Sequence, residues 1–203
     1  MQMQRQAAGL ILASKSPRRR ALLAQAGLDF TVIPSTIDEG RQAPASADIH
    51  VRRLAVEKAC EVAAKHPPSW VIGADTVVLI DDRILGKPAD RDEARQMLRS
   101  LSGRTHRVYT GYSICCLEKS VQVAHTVVTD VTFKTLSAAE IQWYIHTPEP
   151  FDKAGAYAIQ GLGTFLVRRI SGSYTNVVGL PVCEVIEGLI QVGALNFRVP
   201  ADP

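Results

Sequence analysis

The chain has 203 residues, about one and a third times the usual prior length of a domain, which favours one large domain or two closely associated lobes. Its composition, 46% hydrophobic and 21% charged, is that of an ordinary globular protein and excludes a disordered tail protein and a coiled coil. Lys and Arg outnumber Asp and Glu by 23 to 20, so the formal net charge is only +3. This balance argues against a protein that coats nucleic acid through bulk electrostatics, and any anion site must be local.

The sequence predicts a soluble protein of a reducing compartment. The apolar run before Ser14 is too short for a signal peptide, so we expect no export. Asp75 interrupts the longest apolar stretch, WVIGADTVVLI, which argues against a membrane-spanning helix. None of the cysteines has a C-x-x-C spacing, and their apolar surroundings predict reduced, buried thiols. The four cysteines are Cys60, Cys115, Cys116 and Cys183.

The first predicted elements are a strand, a tight turn and a helix. GLILA has the apolar composition of a short buried strand. In the following SKSPRRRALLAQAGL, Ser16 suits the N-cap, Pro17 suits the first helical position and Gly27 can end the helix. A second β-like run, FTVIPST, leads through a polar loop into a long helix over 46–66, which a Pro-Pro pair ends.

A hairpin, capped helices and consecutive strands follow. Asp81-Asp82 is the predicted turn between WVIGADTVVLI and RILGKP. Asp90 with Glu93, and Ser137 with Glu140, are capping patterns at the starts of two helices. Further predicted elements are strands over 106–117, 121–135 and TFLVRRI, the loop SGSYTNVVG, and a last helix from Pro181 to about Ile190.

The order of these elements predicts the fold class. Strands and helices alternate in the first half, whereas the middle of the chain favours consecutive strands. A mixed α/β sheet flanked by helices fits this order better than a purely parallel sheet.

The clearest sign of a binding site is SKSPRRR at 14–20, at a strand-to-helix junction. Free N–H groups at a helix start favour an anion. The helical period places Arg18 and Arg19 on the apolar face of this helix, while Arg20 points elsewhere. The pattern favours phosphate binding, and the alternative is a solvated basic turn or ordinary salt bridges.

Two further charged residues interrupt apolar patterns. Lys58 lies on the core face of the long helix, which is consistent either with an ammonium group that reaches solvent or with ligand binding. Asp75 lies in a β-branched strand, where an unpaired charge is costly. The hairpin register predicts that Lys87 arrives beside Asp75, either as a structural ion pair or at a functional site, and Gly73 before the acid would let a ligand approach.

Weaker signals lie elsewhere in the chain. Asp38-Glu39 offers hard oxygen ligands for Mg²⁺ or Mn²⁺, although such pairs are usually only solvated. The glycines around Gln160 match no known phosphate loop, so this segment is interpreted as a turn-rich wall with an amide available for a base or sugar. The histidines form no metal pair and are interpreted as structural.

Together these residues are the set needed to bind a polyphosphate. Fixed cations and a metal stabilise the charge that develops during phosphate hydrolysis, and an aspartate can orient or deprotonate water. The residues therefore predict a metal-assisted hydrolase of phosphate esters or anhydrides.

Six blocks in order resemble the Maf family of nucleotide pyrophosphatases and together cover nearly the whole chain. They are LILASKSPRRRALL, VIGADTVVLI, ILGKP, LSGRTHRVYTG, FDKAGAYAIQG and GSYTNVVGLP. The resemblance implies a mixed α/β fold related to the inosine-triphosphate pyrophosphatases, with two lobes and a central cleft. It implies one domain over 1–203, with residues 1–9 as a flexible extension.

The resemblance also implies residue roles. By motif position, Asp75 looks like the proton acceptor for the attacking water. Arg18, Thr76 and Gln160 look like the positions that set base preference, and they resemble the branch acting on dTTP and UTP rather than on 7-methyl-GTP. The positions implied to bind phosphates are Ser14, Arg19, Lys58 and Lys87, and those implied to bind the metal are Glu39 and Asp75.

The family implies further properties and leaves two alternatives. It implies hydrolysis of a nucleoside triphosphate to monophosphate and pyrophosphate, a divalent cation, a cytoplasmic homodimer, and an association with septum formation. We expect no stable nucleic-acid complex and no membrane contact. The alternatives are a 7-methyl-GTP-type pyrophosphatase of the same family, and a non-enzymatic division regulator that binds protein or DNA.

Overall fold

The computed structural model describes residues 3–5, 9–38 and 46–197. The helices are α1 Pro17–Gln25, α2 Ala47–Lys65, α3 Arg91–Leu101, α4 Ala138–Ile145, α5 Tyr174–Val178 and α6 Val182–Gln191. The strands are β1 Met3–Arg5, β2 Leu10–Leu12, β3 Thr31–Val32, β4 Trp70–Ile80, β5 Arg83–Leu85, β6 Thr105–Cys116, β7 Val121–Phe133, β8 Val167–Ser171 and β9 Leu195–Phe197. Short 3-10 helices span Glu149–Asp152, Ala154–Ala156 and Gly161–Leu166.

The strand order confirms the predicted mixed sheet. Its path is β3-β2-β4-β6-β7-β8, with β5 paired to β4. Strand β2 runs parallel to both β3 and β4, whereas β5 is antiparallel to β4 and β8 is antiparallel to β7. Within the described residues, every helix is too short or too polar to cross a bilayer.

The chain divides into two compact units, each assembled from separate stretches of sequence. The first unit comprises Met1–Asp75, Gly111–Thr126 and Gly179–Pro203. The second comprises Thr76–Thr110 and Val127–Val178. The single domain with a central cleft stays a prediction.

In the first unit, helix α2 packs closely on the backbone of neighbouring strands. A Cβ atom on Gly73 of β4 would lie 2.2 Å from the carbonyl oxygen of Ala55, and one on Gly111 of β6 would lie 2.4 Å from that of Val51. Gly73 is therefore required by α2, a contact that the sequence did not predict. The apolar residues buried beside this contact are Ile11, Ala13, Ala59, Val62, Ala63, Val71 and Cys115.

In the second unit, a buried aromatic group encloses a histidine. His106 Nε2 lies 2.8 Å from the Tyr157 hydroxyl, and the imidazole makes edge contacts with the rings of Phe133 and Tyr157. Burial lowers the pKa of His106 to about 4, so its ring is neutral at pH 7. The structural role predicted for this histidine agrees with this packing.

Local signals in the sequence located the helix starts and the hairpin correctly. The side chains of Ser16, Ser46 and Asp90 each accept a hydrogen bond from the backbone N–H three residues on. Ser137 and Glu140 form the predicted capping box. Asp81 and Asp82 both have positive φ, as a two-residue hairpin turn requires, and Ile80 pairs with Arg83 as predicted.

Other regions differ from prediction. The expected loop SGSYTNVVG contains α5, because the Asn176 N–H donates to Ser173 Oγ and the buried Asn176 amide donates to the Val108 carbonyl. The expected strand TFLVRRI begins only at Val167, after the 3-10 helix Gly161–Leu166.

Two predictions about the chain termini and the thiols also need correction. Met3–Arg5, within the expected flexible extension, form β1 and pair with Leu195–Phe197; residues 1–2 and 6–8 lie outside the described residues. All four cysteines are free, and Cys115 and Cys116 are buried, but Cys183 is exposed. Burial was therefore wrongly predicted for Cys183, which lies in the first turn of α6.

Candidate active site

The start of α1 is shaped by two serines. Ser16 Oγ accepts from the Arg19 N–H at 3.4 Å, and Ser14 Oγ accepts from the Ser16 N–H at 3.2 Å. Pro17 occupies the first turn, where its missing N–H costs no helical hydrogen bond. The turn between β2 and α1 is therefore held by side chains at both of its serines.

Arg19 is buried beside this turn and its guanidinium binds backbone carbonyls. Nε donates to the Gly179 carbonyl at 2.7 Å, and Nη1 donates to the Ala74 carbonyl at 2.8 Å and to Ser14 Oγ at 3.3 Å. Arg18 is half-buried and Arg20 is exposed, as the helical period predicts. The sequence did not predict these carbonyl partners, because they come from residues distant along the chain.

Lys58 of α2 and Asp75 of β4 form a buried ion pair. Lys58 Nζ lies 2.7 Å from Asp75 Oδ1, and the two side chains are 7% and 9% exposed. The sequence left open whether the Lys58 ammonium group reaches solvent or binds a ligand. The structure excludes the first, because the side chain is buried. The sequence proposed Lys87 as a cation beside Asp75, whereas the cation paired here comes from α2.

The first unit brings four of the predicted site residues together. Ala74, whose carbonyl binds Arg19, immediately precedes Asp75, whose carboxylate binds Lys58. Ser14 is linked to the same arrangement through Arg19. The predicted metal-associated acid, Glu39, lies outside the described residues.

The second unit holds three of the predicted site residues, Thr76, Lys87 and Gln160. Thr76 Oγ1 lies 2.9 Å from Thr110 Oγ1, and Thr110 Oγ1 donates to the Asn176 carbonyl at 3.2 Å. Sequence reasoning did not identify the buried residues Thr110 and Asn176. The available signal for Asn176 was a polar amide directly before the apolar run VVGL.

Lys87 and Gln160 occupy segments without regular strand pairing. Lys87 is exposed and lies beyond β5, which ends at Leu85, so its predicted approach to Asp75 stays a prediction. The preceding residue, Gly86, accepts a hydrogen bond from the Gly155 N–H at 2.9 Å. Gln160 is half-buried, has extended backbone and immediately precedes the 3-10 helix Gly161–Leu166.

These contacts define the chemistry available in the first unit. The buried Asp75 carboxylate pairs with Lys58 through one oxygen, and its second oxygen can accept a proton from water. A helix start and a nearby guanidinium suit an anionic ligand. This is an α/β protein whose site suits hydrolysis of an anionic substrate.

Comparison with known proteins identifies the family. The chain matches the family model described as Maf-like protein over residues 9–192. It is 52% identical to the dTTP/UTP pyrophosphatase of Syntrophus aciditrophicus, covering 93% of this chain and 92% of that protein. It is also 52% identical to the dTTP/UTP pyrophosphatase of Myxococcus xanthus, covering 91% and 92%. The chain therefore belongs to the Maf family.

Among solved structures, the chain is similar to a nucleoside-triphosphatase, a dITP/XTP pyrophosphatase, from Mycobacterium abscessus. The identity is 16%, the TM-score is 0.44, and the similarity covers 92% of this chain and 97% of that one.

Proposed function

We propose that this protein is a pyrophosphatase that hydrolyses dTTP and UTP to the monophosphate and pyrophosphate, and so removes these nucleotides from the pool. The observation that carries this proposal is the identity of about half over more than nine-tenths of the chain to relatives named dTTP/UTP pyrophosphatase. The buried Asp75 beside two cationic side chains supports it, because cleavage of an anhydride between phosphates needs a proton acceptor and positive charge.

In this proposal Asp75 accepts a proton from the water that attacks the triphosphate. Lys58 pairs with Oδ1, which leaves the Oδ2 lone pairs for the water. The phosphate chain is bound by Ser14, Arg19, Lys58 and Lys87. The water oxygen forms a bond to the α-phosphorus and the anhydride bond between the α- and β-phosphates breaks. Pyrophosphate leaves, and these groups stabilise its charge.

Base preference is assigned to Arg18, Thr76 and Gln160. The Gln160 amide has both a donor and an acceptor, which match the N3–H and O4 edge of uracil and thymine. Gln160→Glu would present only acceptors to O4 and is expected to weaken hydrolysis of dTTP and UTP.

A divalent metal, Mg²⁺ or Mn²⁺, is part of the proposal. The described part of the chain contains no group of three or more His, Cys, Asp or Glu side chains that could hold a metal ion unaided. Mg²⁺ commonly binds one or two carboxylates together with substrate phosphates, and Asp75 with Glu39 fits that donor set. When bound, such an ion supplies positive charge that neutralises the phosphates.

The wider biological properties rest on the family resemblance. We infer a cytoplasmic homodimer that is associated with septum formation. The 7-methyl-GTP alternative is less favoured, because the relatives above carry dTTP and UTP in their names. A non-enzymatic regulator would release no product in the assay below.

The test is a substrate panel with purified protein and Mg²⁺ or Mn²⁺. Monophosphate and pyrophosphate are measured for dTTP, UTP, CTP and 7-methyl-GTP, with dTTP and UTP expected to react fastest. Asp75→Asn should lower kcat at least about a hundredfold while nucleotide binding is retained. Asp82→Asn, in the exposed hairpin turn, is the control and should match the parent protein. A fully active Asp75→Asn protein would exclude Asp75 as the base.

A further inference from the structure

Glu149 binds the start of the 3-10 helix that follows Gln160. The first N–H groups of a helix have no partner within it and need an acceptor from elsewhere. The Leu162 N–H donates to Glu149 Oε2 at 2.9 Å, and the Gly163 N–H donates to Oε1 at 2.8 Å. Glu149 comes from a different 3-10 helix, Glu149–Asp152, so this contact joins two segments of the second unit.

Tyr144 extends this contact to the other side of Gln160. Its fully buried hydroxyl donates to Glu149 Oε1 at 2.8 Å and accepts from the Ala158 N–H at 3.2 Å. Burial raises the pKa of the Tyr144 hydroxyl, which keeps it protonated and able to donate. One carboxylate and one hydroxyl therefore hold the backbone both before and after Gln160.

The two glycines after Gln160 fit these partners closely. Gly161 has a φ of +68°, and a Cβ atom there would lie 2.4 Å from Glu149 Oε2. A Cβ atom on Gly163 would lie 2.7 Å from the Tyr144 hydroxyl oxygen and 2.4 Å from the Ala158 carbonyl oxygen. A larger residue at Gly163 would collide with the Ala158 backbone, and one at Gly161 would have to displace the Glu149 carboxylate and adopt a backbone conformation that favours glycine.

The start of this 3-10 helix is capped by Glu149 and not by the side chain of Gln160. Gln160 occupies the N-cap position of this 3-10 helix, but its side chain makes no capping hydrogen bond. Gln is not among the side chains that usually cap a helix, which are Ser, Thr, Asp and Asn, so the first N–H groups need another acceptor. Because Glu149 binds those N–H groups, capping does not compete for the Gln160 amide.

We propose that Glu149 and Tyr144 are positioning residues that set base selectivity through Gln160. This inference rests on the proposed function, in which the Gln160 amide matches the uracil or thymine edge. Holding the backbone on both sides of Gln160 fixes where its side chain starts, which narrows the positions that its donor and acceptor can reach. A loosened Gln160 samples orientations that also suit cytosine, which carries an amino group where uracil carries O4.

Two substitutions test this role. Glu149→Gln keeps the shape but has one acceptor oxygen for two backbone N–H donors, and Tyr144→Phe removes the hydroxyl. Each is expected to lower the ratio of kcat/KM for UTP over CTP about tenfold, the effect of about one lost hydrogen bond. This ratio, measured on one preparation, does not depend on the fraction of folded enzyme, so partial unfolding alone would not change it.

The matched control is Glu140→Gln. Glu140 also caps a helix of the second unit through its carboxylate, accepting from the Ser137 N–H at 2.8 Å and pairing with Lys134. Glu140→Gln should leave the ratio of kcat/KM for UTP over CTP unchanged. In a Gln160→Ala background, Glu149→Gln should cause no further change in the ratio, because its effect passes through Gln160.

The outcomes separate this inference from the proposed function. A parent protein that hydrolyses no triphosphate would overturn both. An active parent whose ratio falls in Gln160→Ala but not in Glu149→Gln would overturn the positioning role alone. An unchanged ratio in Gln160→Ala would overturn the role of Gln160 and this inference with it. The expected fall in Glu149→Gln, absent from Glu140→Gln and from the Gln160→Ala background, would support it.

Discussion

Among single residues, Lys58 and Asp75 carry the clearest energetic consequence. Removing one member of a buried ion pair leaves an uncompensated charge, whereas removing both leaves only a cavity. Their contact at 2.7 Å, with both side chains almost fully buried, therefore ties the stability of the first unit to a residue proposed for catalysis.

Lys58→Ala is expected to lower the free energy of unfolding by about 3 kcal/mol, because Asp75 loses its buried cation. Urea denaturation at pH 7 measures this change. Lys65→Ala is the control on the same helix, because its contact with Glu61 is 3.7 Å long and the lysine is 70% exposed. This variant should lower the free energy of unfolding by less than about 0.5 kcal/mol.

The double variant Lys58→Ala, Asp75→Ala tests whether the two residues are coupled. Its loss in free energy of unfolding should be smaller than the sum of the losses in the two single variants, and additive losses would contradict the coupling.

At the level of elements, the fit of helix α2 against β4 depends on Gly73. Gly73→Ala would place a methyl group against the backbone of Ala55 and Ala59, which cannot move without shifting the helix. We expect a loss of about 2 kcal/mol or more in the free energy of unfolding. Gly86→Ala is the matched control, because a Cβ atom there meets nothing within 4 Å, and its effect should stay within about 0.5 kcal/mol. Equal thermal midpoints for the two variants would show that α2 does not require Gly73.

Helix α2 also holds the segment after β3 through Glu61. The carboxylate accepts from the Ser35 hydroxyl at 2.5 Å, from the Thr36 N–H at 2.9 Å and from the Thr36 hydroxyl at 2.6 Å. These hydrogen bonds, that of the Ser35 hydroxyl first, lower the pKa of Glu61 from 4.5 to about 2. A lowered pKa in the folded state means that ionised Glu61 stabilises the fold above about pH 4.5, and that this contribution disappears as the pH falls towards 2.

Glu61→Gln should therefore be less stable than the parent protein at pH 7, with the difference shrinking between about pH 4.5 and 2. Urea denaturation across this range measures it. Glu57→Gln, on the same helix and in a partly exposed ion pair with Arg53, controls for the loss of a negative charge and should have a small effect at pH 7. A difference between Glu61→Gln and the parent that persists unchanged down to pH 2 would contradict this assignment.

For the whole molecule, each compact unit depends on stretches far apart in the chain. In the first unit, Arg19 donates to the Gly179 carbonyl and the Tyr112 hydroxyl donates to the Glu184 carbonyl. A continuous fragment that ends before these acceptors leaves the buried Arg19 guanidinium without one of them.

A fragment of residues 1–110 is therefore expected to show no cooperative thermal transition by far-ultraviolet circular dichroism, because it lacks the later stretches of the first unit. The full chain should show one. A sharp transition in the fragment would show that its residues fold without Gly111–Thr126 and Gly179–Pro203.

Features encoded by neighbouring residues were predictable from the sequence. The caps at Ser16 and Asp90, the start of α2 near Ser46 and the hairpin turn at Asp81-Asp82 depend on hydrogen bonds and backbone angles within a few positions. The mixed sheet followed from the order of these elements. The family resemblance, carried by six blocks in order, is confirmed by the match over residues 9–192.

Contacts between distant residues could not be read from local patterns. Periodicity showed that Lys58 and Arg19 face inward, but the identity of each partner, Asp75 and the Gly179 carbonyl, depends on how remote segments pack. For the same reason the contact of Gly73 with α2 was not predicted, and Glu149 was not recognised at all. Local chemistry thus dictated the elements and the candidate residues of this protein, whereas folding in three dimensions selected their partners, because a buried charge or N–H group binds whichever complementary group the packed chain brings to it.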